Sequence, residues 1–256
     1  MNKHWFLISA FWILLAPCAA QVPADSLFAR AAEAYNAGDY DDAIAHYQDI
    51  LSQDLHSAAL YFNLGNAYYK LGQIAPSIYH YEKALLLDPG DSEIRNNLEF
   101  ARNMTLDDIQ PLPRSDLHKA YDRVLYFFGM DVWAGIGIGF MFLFVLGAIF
   151  YYLLYLPNQK RISLIGALVA LLLAGFASAM AYLNFRDYRQ DQPAVIFSEA
   201  VTVHAEPNPR SEAVFELHEG TKVQMLDRLD NWVRLRIADG QTGWAPEDSM
   251  KALKDF

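Results

Sequence analysis

The sequence predicts a multidomain membrane protein built from three unlike parts. These are an all-α helical-repeat solenoid, a two-helix transmembrane hairpin and an all-β, barrel-like tail. Three observations carry that prediction. Gly38, Ala43, Ile44, His46 and Tyr47 are echoed 34 residues later by Gly72, Ser77, Ile78, His80 and Tyr81. Two uncharged apolar runs follow, 132–156 and 162–183. From residue 193 the pattern changes to short stretches of alternating polarity.

Residues 1–20 have one lysine, an apolar run from Trp5 to Ala16, then small residues. This is the pattern of a secretory signal peptide with cleavage after Ala20. Leu15-Ala16-Pro17-Cys18 also resembles a lipidation box, although Pro17 fits it poorly. Cleavage after Ala20 would remove Cys18, the one cysteine, and with it disulfide and thiol chemistry. Net charge is −9 over 21–110, +3 over 111–189 and −5 over 190–256. Two acidic segments thus flank an apolar middle, and acidic surfaces repel phosphate, so nucleic-acid binding is not expected.

Residues 24–57 and 58–91 align as two repeats. Tyr61, Leu64, Gly65, Tyr68, Gly72, Tyr81, Ala84 and Pro89 of the second copy occupy positions of the tetratricopeptide (TPR) consensus, and the chain resembles that family over 21–104. Gly65 and its counterpart Ala31 allow close helix approach, as do Ala43 and Ala84. Gly38 and Gly72 suit the turns, and Pro89 stops the last helix. The first copy departs with Leu27 at an aromatic position and Leu55 where proline is usual. Two repeats bury little apolar surface, so 91–104, with Ile94, Leu98 and Ala101 on one stripe, is expected to cap them.

Residues 105–131 read as a linker with Pro111 and Pro113, then a juxtamembrane segment. The stretch 116–130 suits either a helix on the membrane surface or an extension of the first span. Both uncharged runs are long enough to cross ~30 Å of hydrocarbon at ~1.5 Å per residue. Lys160 and Arg161 place the 157–161 turn in the cytoplasm. With an amino-terminal signal, cleaved or retained as an anchor, both flanking segments then lie outside the cytoplasm. Small residues at Gly135, Gly137 and Gly139, or at Gly166, Ala170 and Ala174, would permit oligomerisation, because they allow close helix approach.

In the tail, 201–204, 220–226, 232–236 and 242–245 read as strands, with Asp239-Gly240 as a turn between the last two. A V-x-V start, Gly220-Thr221-x-Val223, Trp232-x-x-Leu235 and Gly243-Trp244 resemble a bacterial SH3-type barrel over 193–251. Thr202 and His204 stand where the family's asparagine and arginine are usual, which removes an arginine contact there.

The concave face of a TPR array is formed by the first helix of each repeat. Helical offsets place Tyr35, Asn36, Phe62, Asn63, Asn66, Tyr69 and Lys70 on it, with Asn97 and Phe100 of the cap extending it. Asparagines there can hydrogen-bond an extended peptide's backbone. Phe28 and Ala32 occupy the clamp positions of copy one, so recognition of a terminal carboxylate is not expected. Trp232 and Trp244 either line a ligand groove or serve as core or hairpin packing, as their consensus positions suggest. His46 and His80 share a repeat position, but stacked repeats lie ~10 Å apart, too far for one zinc without further ligands. No catalytic constellation, phosphate-binding glycine loop or metal motif is present in the sequence, so neither an enzyme nor a cofactor is expected.

The whole order of parts resembles the aerotolerance-operon Bat proteins of bacteria, the BatE-like group in particular. That resemblance implies an inner-membrane protein with periplasmic modules. Its implied partners are Bat-family membrane proteins with von Willebrand A-type domains and a MoxR-type ATPase. Two functions follow: a scaffold whose groove holds a partner segment, or a cell-envelope module whose barrel binds peptidoglycan or peptide.

Overall fold

The computed structural model describes residues 23–113 and 115–254, so the expected signal peptide lies outside the described residues. The chain forms two compact units that divide between Thr105 and Leu106.

In the first unit, α1 (Ala24–Ala37) and α2 (Tyr40–Leu51) form one antiparallel pair; α3 (Ala58–Lys70) and α4 (Ile74–Leu87) form the next, and α5 (Ser92–Arg102) packs on α4. The pairs begin at Ala24 and Ala58, in step with the sequence echo. Each turn inside a pair uses a left-handed glycine, Gly38 at φ 89° and Gly72 at φ 71°. The N–H groups of Asp39 and Gln73 reach back to the carbonyls of Ala34 and Tyr68, closing the ends of α1 and α3 in the same way. Ser57 and Asp91 cap α3 and α5 by accepting from Leu60 N and from Glu93 N and Ile94 N. Copy one has no terminal proline, and α2 ends at Leu51 in a short turn with Asp54 at φ 60°.

Ala31, Ala43, Leu64, Ala67, Ile78 and Ala84 are fully buried between these helices, joined by Ile94, Leu98 and Ala101 of α5. Gly65 marks a close approach: a Cβ there would stand 2.6 Å from Cδ1 of Tyr81. His80 lies inside the aromatic core, stacked on Tyr68 at 5.3 Å, while His46 is half-buried on α2. These settings describe packing at both histidines.

The second unit opens with 106–113, then α6 (Asp116–Leu125), α7 (Met130–Leu153) and α8 (Pro157–Gln190). α6 is a separate helix, not an extension of α7; four residues divide them. Its end is tied to the pair behind it, with Leu125 O accepting from Trp133 Nε1 (3.1 Å) and Asn184 Nδ2 (2.7 Å). α7 and α8 are long and apolar enough to cross a membrane by length and composition, each with a mean hydropathy of 2.3 over its most apolar stretch. The polar residues 157–161 form the first turn of α8, so the connection between the two helices is only 154–156.

The two helices pack antiparallel through small residues. Gly137 lies against Ser178 and Ala174, Gly147 against Ala167, and Ser163 Oγ donates to Gly147 O at 2.7 Å. Gly137, Ala170 and Ala174 are buried inside this pair and so serve contacts within the chain. A Cβ added at Gly135, Gly139 or Gly166 would meet nothing within 4 Å among the described residues of neighbouring segments.

After Gln190 two residues lead directly into the β region. Seven strands, β1 (Pro193–Ile196), β2 (Ala200–His204), β3 (Ala213–His218), β4 (Lys222–Leu229), β5 (Trp232–Arg236), β6 (Thr242–Pro246) and β7 (Met250–Ala252), form one antiparallel sheet in the order β3-β2-β6-β5-β4-β1-β7. This arrangement is consistent with an SH3-like domain. Val201, Val203, Val233, Leu235 and Ala245 point into one core with Leu217 and Val223. Gly243 lets β6 approach β2: a Cβ there would sit 2.5 Å from Val203 Cγ1.

Candidate functional site

The helical unit holds a concave pocket of about 320 Å³ between α1, α3, α4 and α5. Tyr35 enters from α1, Asn66, Tyr69 and Lys70 from α3, Tyr81 from α4, and Glu93, Asn97 and Phe100 from α5. Asn66 organises its centre. Its Oδ1 accepts from Tyr81 Oη at 2.6 Å and from Asn97 Nδ2 at 3.1 Å, joining three helices at one atom. With that oxygen doubly occupied, the Asn66 NH₂ is the group left to donate. Lys70 is exposed and has no ion pair among the described residues.

Burial pushes the Tyr81 phenol well above its ordinary value. Burial also raises Tyr35, with a smaller contribution from Tyr40. Both therefore remain neutral hydroxyls at physiological pH. The pocket offers mainly N–H and O–H donors, with Glu93 its one carboxylate. A segment presenting carbonyl oxygens matches that inventory.

Six of the nine groove residues named in the sequence, Tyr35, Asn66, Tyr69, Lys70, Asn97 and Phe100, come together here. Asn36, Phe62 and Asn63 do not line the pocket. Asn36 is exposed near the end of α1, and the Phe62 ring packs against Tyr81 at 5.9 Å. Tyr81 and Glu93 were not named. Tyr81 belongs to a second helix, which offset counting assigns to the other face. Glu93 lies one helical turn before Asn97, a spacing that could have placed it beside the pocket.

In the sheet unit, Val233, Leu235, Gly243 and Ala245 are buried toward the core. Their alternation puts Trp232, Arg234 and Trp244 on the opposite face. Both tryptophans are half-buried and stand outside the cluster of buried core residues, on paired strands of one hairpin. Trp244 pairs in register with Arg234 and His204, and the His204 ring meets Trp232 edge-on at 5.7 Å. His204 thus joins two aromatic rings and a cation on one outward face.

A helical-repeat pocket and an SH3-like sheet are two binding modules. Comparison with protein families agrees, residue range by residue range. The Tetratricopeptide repeat family matches residues 58–91, a TPR repeat family matches 33–72, and the Bacterial SH3 domain family matches 199–251. No curated protein matches the chain. Repeats of this kind are protein–protein interaction modules, and bacterial SH3 domains are cell-wall or peptide-binding modules; both are non-catalytic.

Proposed function

We propose that this chain is a membrane-anchored scaffold. Its repeat pocket holds an extended segment of a partner protein in a cell-envelope complex, and α7 and α8 confine it to the bilayer. The observation that carries this reading is the donor-rich pocket centred on Asn66. Its side chain is pre-oriented by Tyr81 and Asn97, so ordering cost on binding is small. Confinement to a membrane raises effective concentration, so even a weak pocket suffices.

The resemblance to the BatE-like group supports an inner-membrane location with both modules periplasmic. It also supports Bat-family proteins with von Willebrand A-type domains as partners, in a process of stress tolerance. A photo-cross-linker at Phe100 in native membranes tests the reading, with one at exposed Glu33 as control. A partner captured through Phe100, and lost about tenfold on Lys70→Glu, supports it. Equal capture from both positions, or capture indifferent to the charge reversal, refutes it.

A second reading rests on the outward Trp232–His204–Trp244 face, which suits stacking on a peptidoglycan or peptide ligand. Sedimentation of the detergent-solubilised chain with isolated cell wall tests it. Binding lost on Trp232→Ala supports this reading, and a chain that stays in the supernatant removes it.

A further inference from the structure

Residues 106–113, Leu-Asp-Asp-Ile-Gln-Pro-Leu-Pro, form neither helix nor strand, yet they are anchored at three points on the sheet. The Asp107 carboxylate, whose side chain is 11% exposed, sits at the turn between β3 and β4. Its Oδ2 accepts from His218 N (2.7 Å) and Thr221 Oγ1 (2.6 Å), and its Oδ1 lies 2.7 Å from His218 Nδ1. Ile109 packs against the hydrophobic core of the sheet. Leu112 N donates to Ala238 O at 3.2 Å, and the Leu112 side chain lies across Gly240, where a Cβ would come within 2.8 Å of it.

Each anchor has the chemistry of ligand recognition. A carboxylate taken this far out of water needs donors, and the turn supplies a backbone N–H, a hydroxyl and an imidazole. The apolar anchor, Ile109, adds to the hydrophobic core of the sheet from outside its strands. The last is one backbone hydrogen bond beside a glycine that leaves room for a side chain. Asp107 and His218 are 111 residues apart in sequence, so no local turn enforces their meeting.

We propose that this strip of the SH3-like domain is a peptide-recognition site, distinct from the tryptophan face. It reads an acidic residue followed by apolar residues two and five positions on, and residues 107–112 are its resident occupant. The site is empty only when this segment lifts away.

An intramolecular occupant competes at an effective concentration of order millimolar, which sets the experiment. The full chain in detergent is mixed with a fluorescein-labelled peptide of residues 105–114. The variant Asp107→Ala/Ile109→Ser releases the internal segment; the expected result is binding at least about tenfold tighter than to the unaltered chain, lost again when the peptide carries alanine in place of Asp107. Hydrogen exchange over 213–252 shows whether the variant's sheet is intact. Should it not be, the unaltered chain decides: peptide at several millimolar is expected to speed exchange of 107–112 about twofold or more, leaving 213–252 unchanged. An intact variant that does not bind the peptide, or an unaltered chain whose 107–112 exchange ignores it, overturns the proposal.

Discussion

Gly65→Ala adds one methyl group where α3 lies directly against the Tyr81 ring of α4. The new Cβ would stand 2.6, 2.7 and 3.0 Å from Cδ1, Cε1 and Cγ of Tyr81, so the ring must retreat by most of an ångström to regain ordinary contact. It has little room to do so. Tyr81 is 1% exposed, and its hydroxyl is held by Asn66 at 2.6 Å. Overpacking of this kind costs about 1–3 kcal/mol, and a ring fixed at both ends puts the cost in the upper half of that range. Replacing a mid-helix glycine returns about 1 kcal/mol of helix propensity. The net is a loss of about 1–2 kcal/mol, read as roughly 5–30-fold faster hydrogen exchange across α3 and α4. The decisive comparison is the same substitution in a Tyr81→Leu background. There the ring is gone, only the propensity gain remains, and Gly65→Ala should slow exchange by several-fold. Equal acceleration in both backgrounds, or none in the native one, would refute steric closure as the reason for this glycine.

Leu98→Ala removes a side chain that is 2% exposed between α5 and the repeats; a loss of about 2–5 kcal/mol is expected, and exchange should show α5 opening before α3 or α4. Lys254 Nζ donates to Tyr188 O (2.9 Å), Asp191 O (2.7 Å) and Asp191 Oδ2 (3.0 Å), a cation set on the carboxyl end of α8. Lys254→Met should therefore cost about 1–2 kcal/mol locally, speeding exchange of 187–191 while sparing 232–246. The segment 107–112 should hold to the sheet in a pH-dependent way. Its hydrogen bond to Asp107 raises His218 above 6.5, helped by the charges of Asp107 and Glu216. Burial would raise Asp107, but hydrogen bonds from Thr221 and His218 outweigh it and leave the carboxyl below 3.8. The raised histidine stabilises the closed form in full below 6.5, and that contribution fades as pH rises through its higher bound-state value. The lowered aspartate contributes above 3.8 and is lost as pH falls through its bound-state value. Protection of 107–112, corrected for intrinsic exchange, should thus peak between about pH 4 and 6.5, and His218→Gln should abolish the decline on the alkaline side.

Much of this architecture can be read in the chain because its signals are local. The echo at 34 residues reports helices of fixed length, and Gly38 and Gly72 mark turns that both adopt left-handed backbone. What escaped notice lacks a local signal. β1, Pro-Ala-Val-Ile, is buried at all four positions and so shows no alternation, and β7 has only three residues. β3 exposes three of its six residues and fully buries only Leu217, which blurs its period. Residues 105–115 have a linker's composition, and the three groups that bind Asp107 come from more than a hundred residues away. In the pocket, counting offsets finds the helical face but not the long Tyr81 side chain that reaches it from α4. Nor does it show that Phe62 turns aside to pack on that ring.

Lys254 and the 107–112 segment together explain why the sheet unit should behave as part of the apolar hairpin. Only Asp191 and Gln192 separate α8 from β1, and two residues still leave four backbone torsions free. Lys254, next to the buried Leu253 whose N–H bonds Pro193 O, removes that freedom by gripping the last carbonyls of α8 from the far end of the domain. On the amino-terminal side, α6 is tied to α8 through Asn184, and the residues just before α6 are those held on the sheet at Asp107 and Leu112. The domain is thus attached through both of its chain connections. The two attachments differ in kind: Lys254 is held by two backbone carbonyls, which do not titrate, whereas the contact at Asp107 depends on His218, which its hydrogen bond to Asp107 raises above 6.5. Mild alkali should therefore loosen the first connection while the second holds, and the order of those two events in one exchange experiment distinguishes this reading from a domain that loosens all at once.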